Sequence, residues 1–157
     1  MKLYLIQHGE ATTEEVDSSR PLTAKGRTDV EKIAFFLKGA GVDPRIILHS
    51  GKTRTRQTAE IIAAQLGPSC QVKERDGLAP NDPVKALTNE ILGMASDLMV
   101  VGHLPFLGKL AAMLLAGSES ENLVTFRQGG VVCLQRNEDQ TWQVAWMVTP
   151  ELLMGNR

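Results

Sequence analysis

Three histidines, His8, His49 and His103, are the residues of this chain whose positions most directly suggest chemistry. Each stands at or just past the carboxyl end of a short apolar run that predicts a buried strand. In open α/β sheets, ligands bind at the edge that these strand ends form. We therefore expect His8 and His103 to belong to one shared site at that edge. For His49 two interpretations stay open: a phosphate-binding role, or a polar residue that only satisfies a strand end.

The first histidine lies in the tetrapeptide Gln7-His8-Gly9-Glu10. The strand before it would hold the imidazole of His8 on a rigid element. Gly9 allows the backbone to turn sharply or to approach a ligand closely. We expect Gln7 and Gly9 to line the same site.

A basic cluster around Arg54 lies at the start of a predicted helix. A helix amino terminus attracts phosphate through its free N–H groups, and an arginine adds a planar fork that fits phosphate oxygens. Arg54 and Arg56 are about 200° apart around a helix, so only one of them can face a given ligand. For Lys52 and Arg56, a solvated basic turn is the better interpretation.

These residues together indicate phosphoryl transfer through histidine without a metal ion. The acidic residues are scattered, and the chain has no His-x-x-x-His or Cys-x-x-Cys spacing that would predict a metal site. It also lacks a glycine-rich nucleotide loop. We expect neither a metal nor another cofactor.

The elements that must position these groups alternate along the chain. Apolar runs predict strands at residues 3–6, 46–48, 71–73, 98–101, 131–135 and 142–147, the last two as a hairpin. Helical spacing predicts helices after Thr23, over 53–66, from Asp82-Pro83 to Ile91, and along 107–114. Thr23 and Asp82 are the expected amino-terminal caps. Repeated strand-then-helix order implies an α/β sandwich with a mainly parallel sheet.

Composition restricts the classes of function. The 157 residues fit a single domain, 1–157, and the 17 basic and 18 acidic residues nearly cancel, which argues against nucleic acid or a membrane surface as partner. Cys70 and Cys133 show no metal-ligand spacing and are expected to be buried or idle thiols. The apolar start is too short for a signal peptide, and no run approaches a membrane span, so we expect a cytoplasmic protein.

Four segments, in order, resemble the histidine phosphatase superfamily, whose members carry Arg-His-Gly near the amino terminus. The segments are His8-Gly9-Glu10, Ser19-Arg20-Pro21-Leu22-Thr23, Ser50–Thr58 and Gly102-His103-Leu104-Pro105. Within the superfamily the chain is similar to the small SixA-type phosphohistidine phosphatases, along nearly its whole length and without the large insertions of mutases and acid phosphatases. The resemblance implies a phosphoglycerate mutase-like fold, a three-layer α/β sandwich with a mainly parallel central sheet.

The resemblance also implies roles for matching positions. His8 would be the nucleophile that accepts the phosphoryl group, and Arg54 and His103 would hold the phosphate oxygens, with His103 charged beside the dianion. Arg20, with Asp17 before it, lies where this subgroup shapes the substrate side of the pocket. A phosphate-binding role is expected for Arg20, and a loop arginine tied to a carboxylate is the alternative. The implied substrate is phosphohistidine on a protein, such as a phosphotransfer domain.

Position 7 departs from the family pattern, because Gln7 stands where the family has arginine. An amide keeps hydrogen-bond donors but loses the charge and the fork, and loss of one such donor typically costs about 10²–10³ in rate. Three interpretations are open: a neighbour such as Lys52, Arg56 or Arg20 supplies the charge; the enzyme is slow or takes a less charged substrate; or it binds phosphate-bearing partners without turnover.

The leaving group bears on the choice of substrate. An alkoxide needs a strong general acid, and Glu10 and Asp76 are candidates without supporting spacing. Imidazole, with an ordinary pKa of about 6.5, leaves a phosphorus–nitrogen bond far more easily. The preferred function is therefore a metal-independent phosphohistidine phosphatase. The alternatives are a catalytically impaired phosphate-binding regulatory module and a small-molecule phosphoester phosphatase. The sequence does not indicate an oligomeric state.

Overall fold

The computed structural model describes residues 1–153, which form six strands and four helices. In chain order the elements are β1 (Lys2–Gln7), α1 (Ala24–Gly39), β2 (Ile46–His49), α2 (Thr53–Leu66), β3 (Gln71–Glu74), α3 (Lys85–Leu92), β4 (Leu98–Gly102), α4 (Phe106–Ala116), β5 (Val131–Arg136) and β6 (Trp142–Val148). A short 3-10 helix, Pro150–Leu153, follows β6 and was not expected from the sequence. Assignment of residues 1–157 to a single domain stays a prediction.

All six strands belong to one mixed sheet with the order β3-β2-β4-β1-β5-β6. The pairings β3–β2, β2–β4 and β4–β1 are parallel, whereas β1–β5 and β5–β6 are antiparallel. The predicted mainly parallel sheet and the closing hairpin are therefore confirmed. The two strands that precede His8 and His103, β1 and β4, are central neighbours.

Two hydrophobic cores cover the two faces of the sheet, because successive side chains of a strand point to opposite sides. Tyr4 and Ile6 of β1 pack with buried residues of α1 and α2. Leu3 and Leu5 pack with buried residues of α3 and α4. This arrangement confirms the three-layer sandwich. Both cysteines are buried free thiols, as expected.

The helix boundaries follow local capping chemistry, with one correction. Thr23 caps α1 as predicted, since its side chain accepts a hydrogen bond from the Gly26 amide. Asp82 does not cap α3: its carboxylate accepts a hydrogen bond from the Ala79 amide, and the helix begins only after Val84. Asp82 therefore closes the preceding turn, a competing use of the same short side chain.

None of the helices described within residues 1–153 is long and apolar enough to cross a membrane.

Candidate active site

Strand register brings His8 and His103 together. Gln7 of β1 pairs with Gly102 of β4, and the amide of His8 donates a hydrogen bond to the Gly102 carbonyl at 3.1 Å. His8 and His103 are the residues directly after this pair, and the centroids of their imidazole rings are 5.3 Å apart. Both side chains are buried, with 7% of His8 and 2% of His103 exposed. The shared position of these two histidines, expected from the sequence, is present in the structure.

The proton of His8 is held on one nitrogen. Nδ1 lies 2.7 Å from the Gly9 carbonyl oxygen, which can only accept a hydrogen bond. Nδ1 therefore carries the proton of the neutral ring, and Nε2 keeps its lone pair. Burial, with smaller contributions from Arg54 and Arg20, lowers the pKa of His8 to about 4, against a raising effect of the Gly9 hydrogen bond. At neutral pH His8 is thus an uncharged base with a free nitrogen.

Arg54 supplies charge from the first turn of α2. Its pKa is lowered by burial and by the nearby charge of Arg20, and its own charge acts on both His8 and His103. Among the described residues, three buried side-chain polar atoms lack a hydrogen-bond partner, and two of them, Nε of Arg54 and Nδ1 of His103, lie here. Unpartnered buried donors and acceptors are costly, so this pair is typical of a site built for a polar ligand.

His103 is neutral when only protein groups surround it. Burial, followed by the charges of Arg54, His8, Lys52 and Arg20, lowers its pKa to about 3. The sequence interpretation assigned a charged ring to the phosphate-bound state. The structure adds that the charge must be brought about by the anion itself, since every neighbouring charge opposes it.

The loop after β1 is held by Gln57 and Thr58, residues of the Ser50–Thr58 segment for which the sequence predicted no role. The Gly9 amide donates to the Thr58 hydroxyl at 3.1 Å, so this N–H is already used and is not free to bind a phosphate oxygen. A Cβ at Gly9 would lie 2.8 Å from Val30 Cγ2, so the glycine serves close packing against α1. The side-chain oxygen Oε1 of Gln57 accepts a hydrogen bond from the Leu22 amide at 2.8 Å. Thr58 and Gln57 of α2 therefore hold the two ends of this loop, at Gly9 and at Leu22.

Arg20 lies at the rim of the site in the same loop. Its Nε donates to the Thr12 carbonyl at 3.1 Å, and its backbone has a positive φ of 49°. Its charge acts on His8, Arg54 and His103. Asp17 instead accepts hydrogen bonds from the amide and hydroxyl of Ser19, so the described residues show no carboxylate tied to the Arg20 guanidinium.

Arg56 and Lys52 are the other two cations at the start of α2. Arg56 is directed away from Arg54, as the helical spacing requires. Arg56 is exposed and pairs with Glu60 one turn later, at 3.0 Å. Lys52 is exposed as well, but its charge acts on His103. The interpretation of Arg56 as a solvated residue is confirmed.

The hydrogen bonds of Gln7 involve its backbone rather than its side chain. It is half-buried, and its backbone carbonyl accepts from the Gly129 amide at 2.9 Å. Within residues 1–153 its side-chain amide has no hydrogen-bond partner. The amide is therefore free to turn toward a ligand.

The structure does not bring His49 to the His8–His103 pair. Its Nδ1 accepts a hydrogen bond from the Gly51 amide at 3.0 Å, which closes the turn before α2. Burial lowers the pKa of His49, and the charges that act on it are those of Glu74, Glu60 and Arg56, a different set from that around His8. This environment supports the interpretation of a polar residue that satisfies a strand end.

The two carboxylates considered as general acids have other surroundings. Glu10 accepts a hydrogen bond from the Thr23 hydroxyl at 2.8 Å, at the start of α1. Asp76 is exposed in the turn after the edge strand β3. Over residues 1–153, no group of three His, Cys, Asp or Glu side chains has a geometry that could hold a metal ion.

Comparisons with known proteins identify the family and the fold. Residues 3–80 match the family model described as histidine phosphatase superfamily (branch 1). Phosphohistidine phosphatase SixA of Escherichia coli K12 is 30% identical over 158 aligned positions, which cover 96% of this chain and 94% of that protein. An uncharacterized protein of Picosynechococcus sp. is 38% identical over 143 positions, which cover 86% of this chain and 85% of the relative.

Solved structures share the fold. The protein histidine phosphatase SixA complexed with tungstate matches with a TM-score of 0.85 and 26% identity, covering 98% of this chain and 99% of that one. Phosphoserine phosphatase from Entamoeba histolytica in complex with 3-phosphoglyceric acid matches with a TM-score of 0.73 and 17% identity, covering 98% and 99%, and shows likeness of fold alone. The similarity to SixA along nearly the whole chain supports phosphatase activity, and the chain belongs to the histidine phosphatase superfamily.

Proposed function

We propose that this protein is a metal-independent phosphatase that hydrolyses protein phosphohistidine through a phosphohistidine intermediate on His8. The observation that carries the proposal is the neutral His8 ring with Nε2 free, beside Arg54 and His103. An uncharged imidazole with a lone pair toward the site is the form that can attack phosphorus. The similarity to SixA, which is named a phosphohistidine phosphatase, supports the substrate class.

The reaction has two displacements. Nε2 of His8 attacks phosphorus, the phosphorus–nitrogen bond of the substrate breaks, and the leaving imidazole takes a proton from bulk water, to which the attacking water of the second step returns one. Water then attacks the phosphoryl group on His8, which releases inorganic phosphate and restores the neutral ring. Arg54 and a protonated His103 hold the phosphoryl oxygens in both steps, where developing charge needs preorganised donors. His49 has no part in this scheme, and Gly9 contributes by close packing rather than through its N–H.

The surroundings of the carboxylates favour a good leaving group. Glu10 accepts a hydrogen bond from Thr23, and within residues 1–153 no carboxylate acts on His8 or His103. Imidazole leaves without a strong acid because its ordinary pKa is about 6.5, far below that of an alcohol. Phosphohistidine is therefore the substrate that this site would process best. A cytoplasmic location and a phosphotransfer domain as partner stay predictions.

Arg20 is the residue that compensates for Gln7 in this proposal. Of the three candidate cations, Arg56 is occupied by Glu60 and Lys52 acts on one histidine only. Arg20 acts on both histidines, and its Nε bond to the loop leaves the terminal nitrogens of the guanidinium for a phosphoryl group.

The experiment uses the purified protein with a chelator, a phosphohistidine-bearing protein and, separately, an aryl phosphate. Wild type, His8→Ala and Gln7→Arg are compared for phosphate release. We expect release that depends on His8, faster from phosphohistidine than from the aryl phosphate. Arg54→Gln should lose most activity, while Arg56→Gln, on the opposite side of the same helix, serves as the matched control and should retain it.

The impaired phosphate-binding module remains the second candidate because of one observation, the missing charge at Gln7. No release by wild type, together with strong release by Gln7→Arg, would favour that module and overturn the enzyme proposal. A preference for the aryl phosphate would instead favour the small-molecule phosphoester phosphatase.

A further inference from the structure

The ring of His103 is connected to two hydroxyl groups from the segment that begins α2. Ser50 Oγ lies 2.7 Å from Nε2 of His103, and Thr55 Oγ1 lies 2.8 Å from Ser50 Oγ. Thr55 Oγ1 also lies 2.9 Å from the backbone oxygen of Lys52. Thr55 is fully buried and Ser50 is half-buried. Three consecutive contacts therefore lead from the imidazole to the backbone.

The number of available protons sets the direction of these bonds. The Lys52 carbonyl can only accept, so the Thr55 hydroxyl proton is directed to it. Thr55 Oγ1 then accepts the proton of Ser50, and Ser50 Oγ accepts from an N–H on Nε2 of the ring. If Nε2 were bare, one of the three contacts would have no proton, and one hydrogen bond would be lost.

We propose that Ser50 and Thr55 form a hydroxyl relay that keeps a proton on Nε2 of His103, so that Nδ1 is the atom that gains a proton when a phosphoryl group binds. The inference rests on the proposed function, because it describes how the same site acquires its second cation. Nδ1 is buried and, within the described residues, has no partner. Once protonated there, the ring donates one hydrogen bond to a phosphoryl oxygen and keeps the other to Ser50.

The charged surroundings explain why the relay matters. The titratable and charged groups that act on His103 are His8 from the end of β1, Arg54 and Lys52 from the start of α2, and Arg20 from the loop. All of them oppose a positive ring, so the cation depends on the incoming anion and on a well-placed acceptor at Nε2. Ser50 is that acceptor, and it acts as a positioning residue without itself contacting the phosphoryl group.

The first measurement is the ¹⁵N NMR spectrum of protein labelled at histidine nitrogens, recorded without phosphate and then with inorganic phosphate. We expect a neutral His103 ring protonated at Nε2 in the first state. In the second state Nδ1 should become protonated while the Nε2 signal changes little. A neutral ring that carries its proton on Nδ1 would overturn the inference.

The second measurement compares variants for phosphate affinity across pH. Ser50→Ala removes an acceptor from a charged donor, so we expect phosphate binding about tenfold weaker and the pKa of His103 in the complex lower by about one unit. Thr55→Val should act in the same direction. Ser50→Thr and Thr55→Ser, which keep the hydroxyls, should restore both values.

The outcomes separate this inference from the proposed function. Unchanged affinity and pKa in Ser50→Ala would overturn the relay. Absence of phosphate binding by wild type would contradict both proposals, whereas the expected ring signals without phosphohistidine hydrolysis would contradict the proposed function alone. If Ser50→Ala fails to fold, the wild-type ring signals and the Thr55→Val and Thr55→Ser pair still decide the proton position.

Discussion

At the scale of single residues, the site consists of two neutral histidines on which the charges of Arg54 and Arg20 act. His8 and His103 have pKa values of about 4 and 3, so neither adds charge at neutral pH. The proposed attack by Nε2 of His8 requires this neutrality, because a protonated ring cannot attack phosphorus. The arrangement lowers the free energy of unfolding at acid pH, because the folded protein keeps both rings unprotonated at pH values where the unfolded chain would bind protons on them.

The first prediction concerns stability against pH. Between the unfolded pKa of 6.5 and the folded value of about 4, the unfolded state binds more protons at His8. The free energy of unfolding should therefore fall as pH is lowered through this window and be unaffected by His8 above it. In His8→Asn, the loss between pH 7 and pH 5 should be smaller by about 2 kcal/mol, measured by urea unfolding. The remaining slope comes from His103 and His49, whose pKa values burial also lowers. An equal slope in both proteins would contradict the assigned pKa of His8.

The second prediction tests compensation between Gln7 and Arg20. Gln7→Arg should accelerate phosphohistidine hydrolysis about 10²-fold, because it restores a charged donor beside His8. Arg20→Ala should slow hydrolysis by the wild type by a similar factor. In the Gln7→Arg protein the same substitution should have an effect on the rate about tenfold smaller. A double-mutant cycle measures this coupling. Equal effects of Arg20→Ala in both backgrounds would mean that the two positions act independently.

At the scale of elements, the loop after β1 is fitted against the first turn of α1. A Cβ at Gly26 would lie 2.1 Å from the Glu10 carbonyl oxygen, a distance that no packing adjustment of a side chain can relieve. The same carbonyl accepts the Thr23 amide at 3.0 Å. The start of α1 thus determines where the chain runs immediately after His8 and Gly9.

The third prediction uses two glycines at equivalent helical positions. Gly26→Ala should destabilise the protein by about 1–3 kcal/mol, because the added methyl overpacks the loop contact, and it should lower activity by moving Gly9. Gly108 is also the third residue of its helix, α4, and has open space around it. Gly108→Ala should stabilise by about 0.5–1 kcal/mol with unchanged activity. Urea unfolding and phosphate release measure both. Equal effects of the two substitutions would show that the loop contact is not rigid.

Element-level prediction from sequence succeeded where the signal is local. Apolar runs and helical spacing identified β1, β2, β4 and the capped start of α1, since burial and capping act over a few residues. The prediction failed at Asp82, because the same carboxylate suits a turn as well as a helix cap. The Ser50–His103 contact and the Gln57–Leu22 contact join residues 53 and 35 positions apart, so nothing in the local sequence could reveal them.

At the scale of the whole molecule, the site depends on the centre of the sheet. β1 and β4 lie between other strands, and every residue of β4 is buried. The candidate site was predictable at this scale because parallel strands put their carboxyl ends at one edge. The sequence alone did not show that His49, at the same edge, faces a different set of charges.

The fourth prediction follows from this position in the sheet. Amide hydrogen exchange should be slowest in β1 and β4, close to the rate set by global unfolding, and faster in the edge strands β3 and β6. The amide of His8, bonded to Gly102, should exchange with β1 rather than with the following loop. Fast local exchange at His8 would mean that the site opens independently of the sheet.

The pairing of Gln7 with Gly102 has a further consequence for how this protein can change over generations. The facing residue has no side chain, and the Gln7 amide has no partner among the described residues, so a longer side chain at position 7 displaces little. Some glutamine codons differ from arginine codons by a single nucleotide. If Gln7→Arg raises turnover as predicted above, one mutational step that leaves the fold intact is enough to change the rate. Selection at position 7 would then change the rate of dephosphorylation with almost no change in the free energy of unfolding.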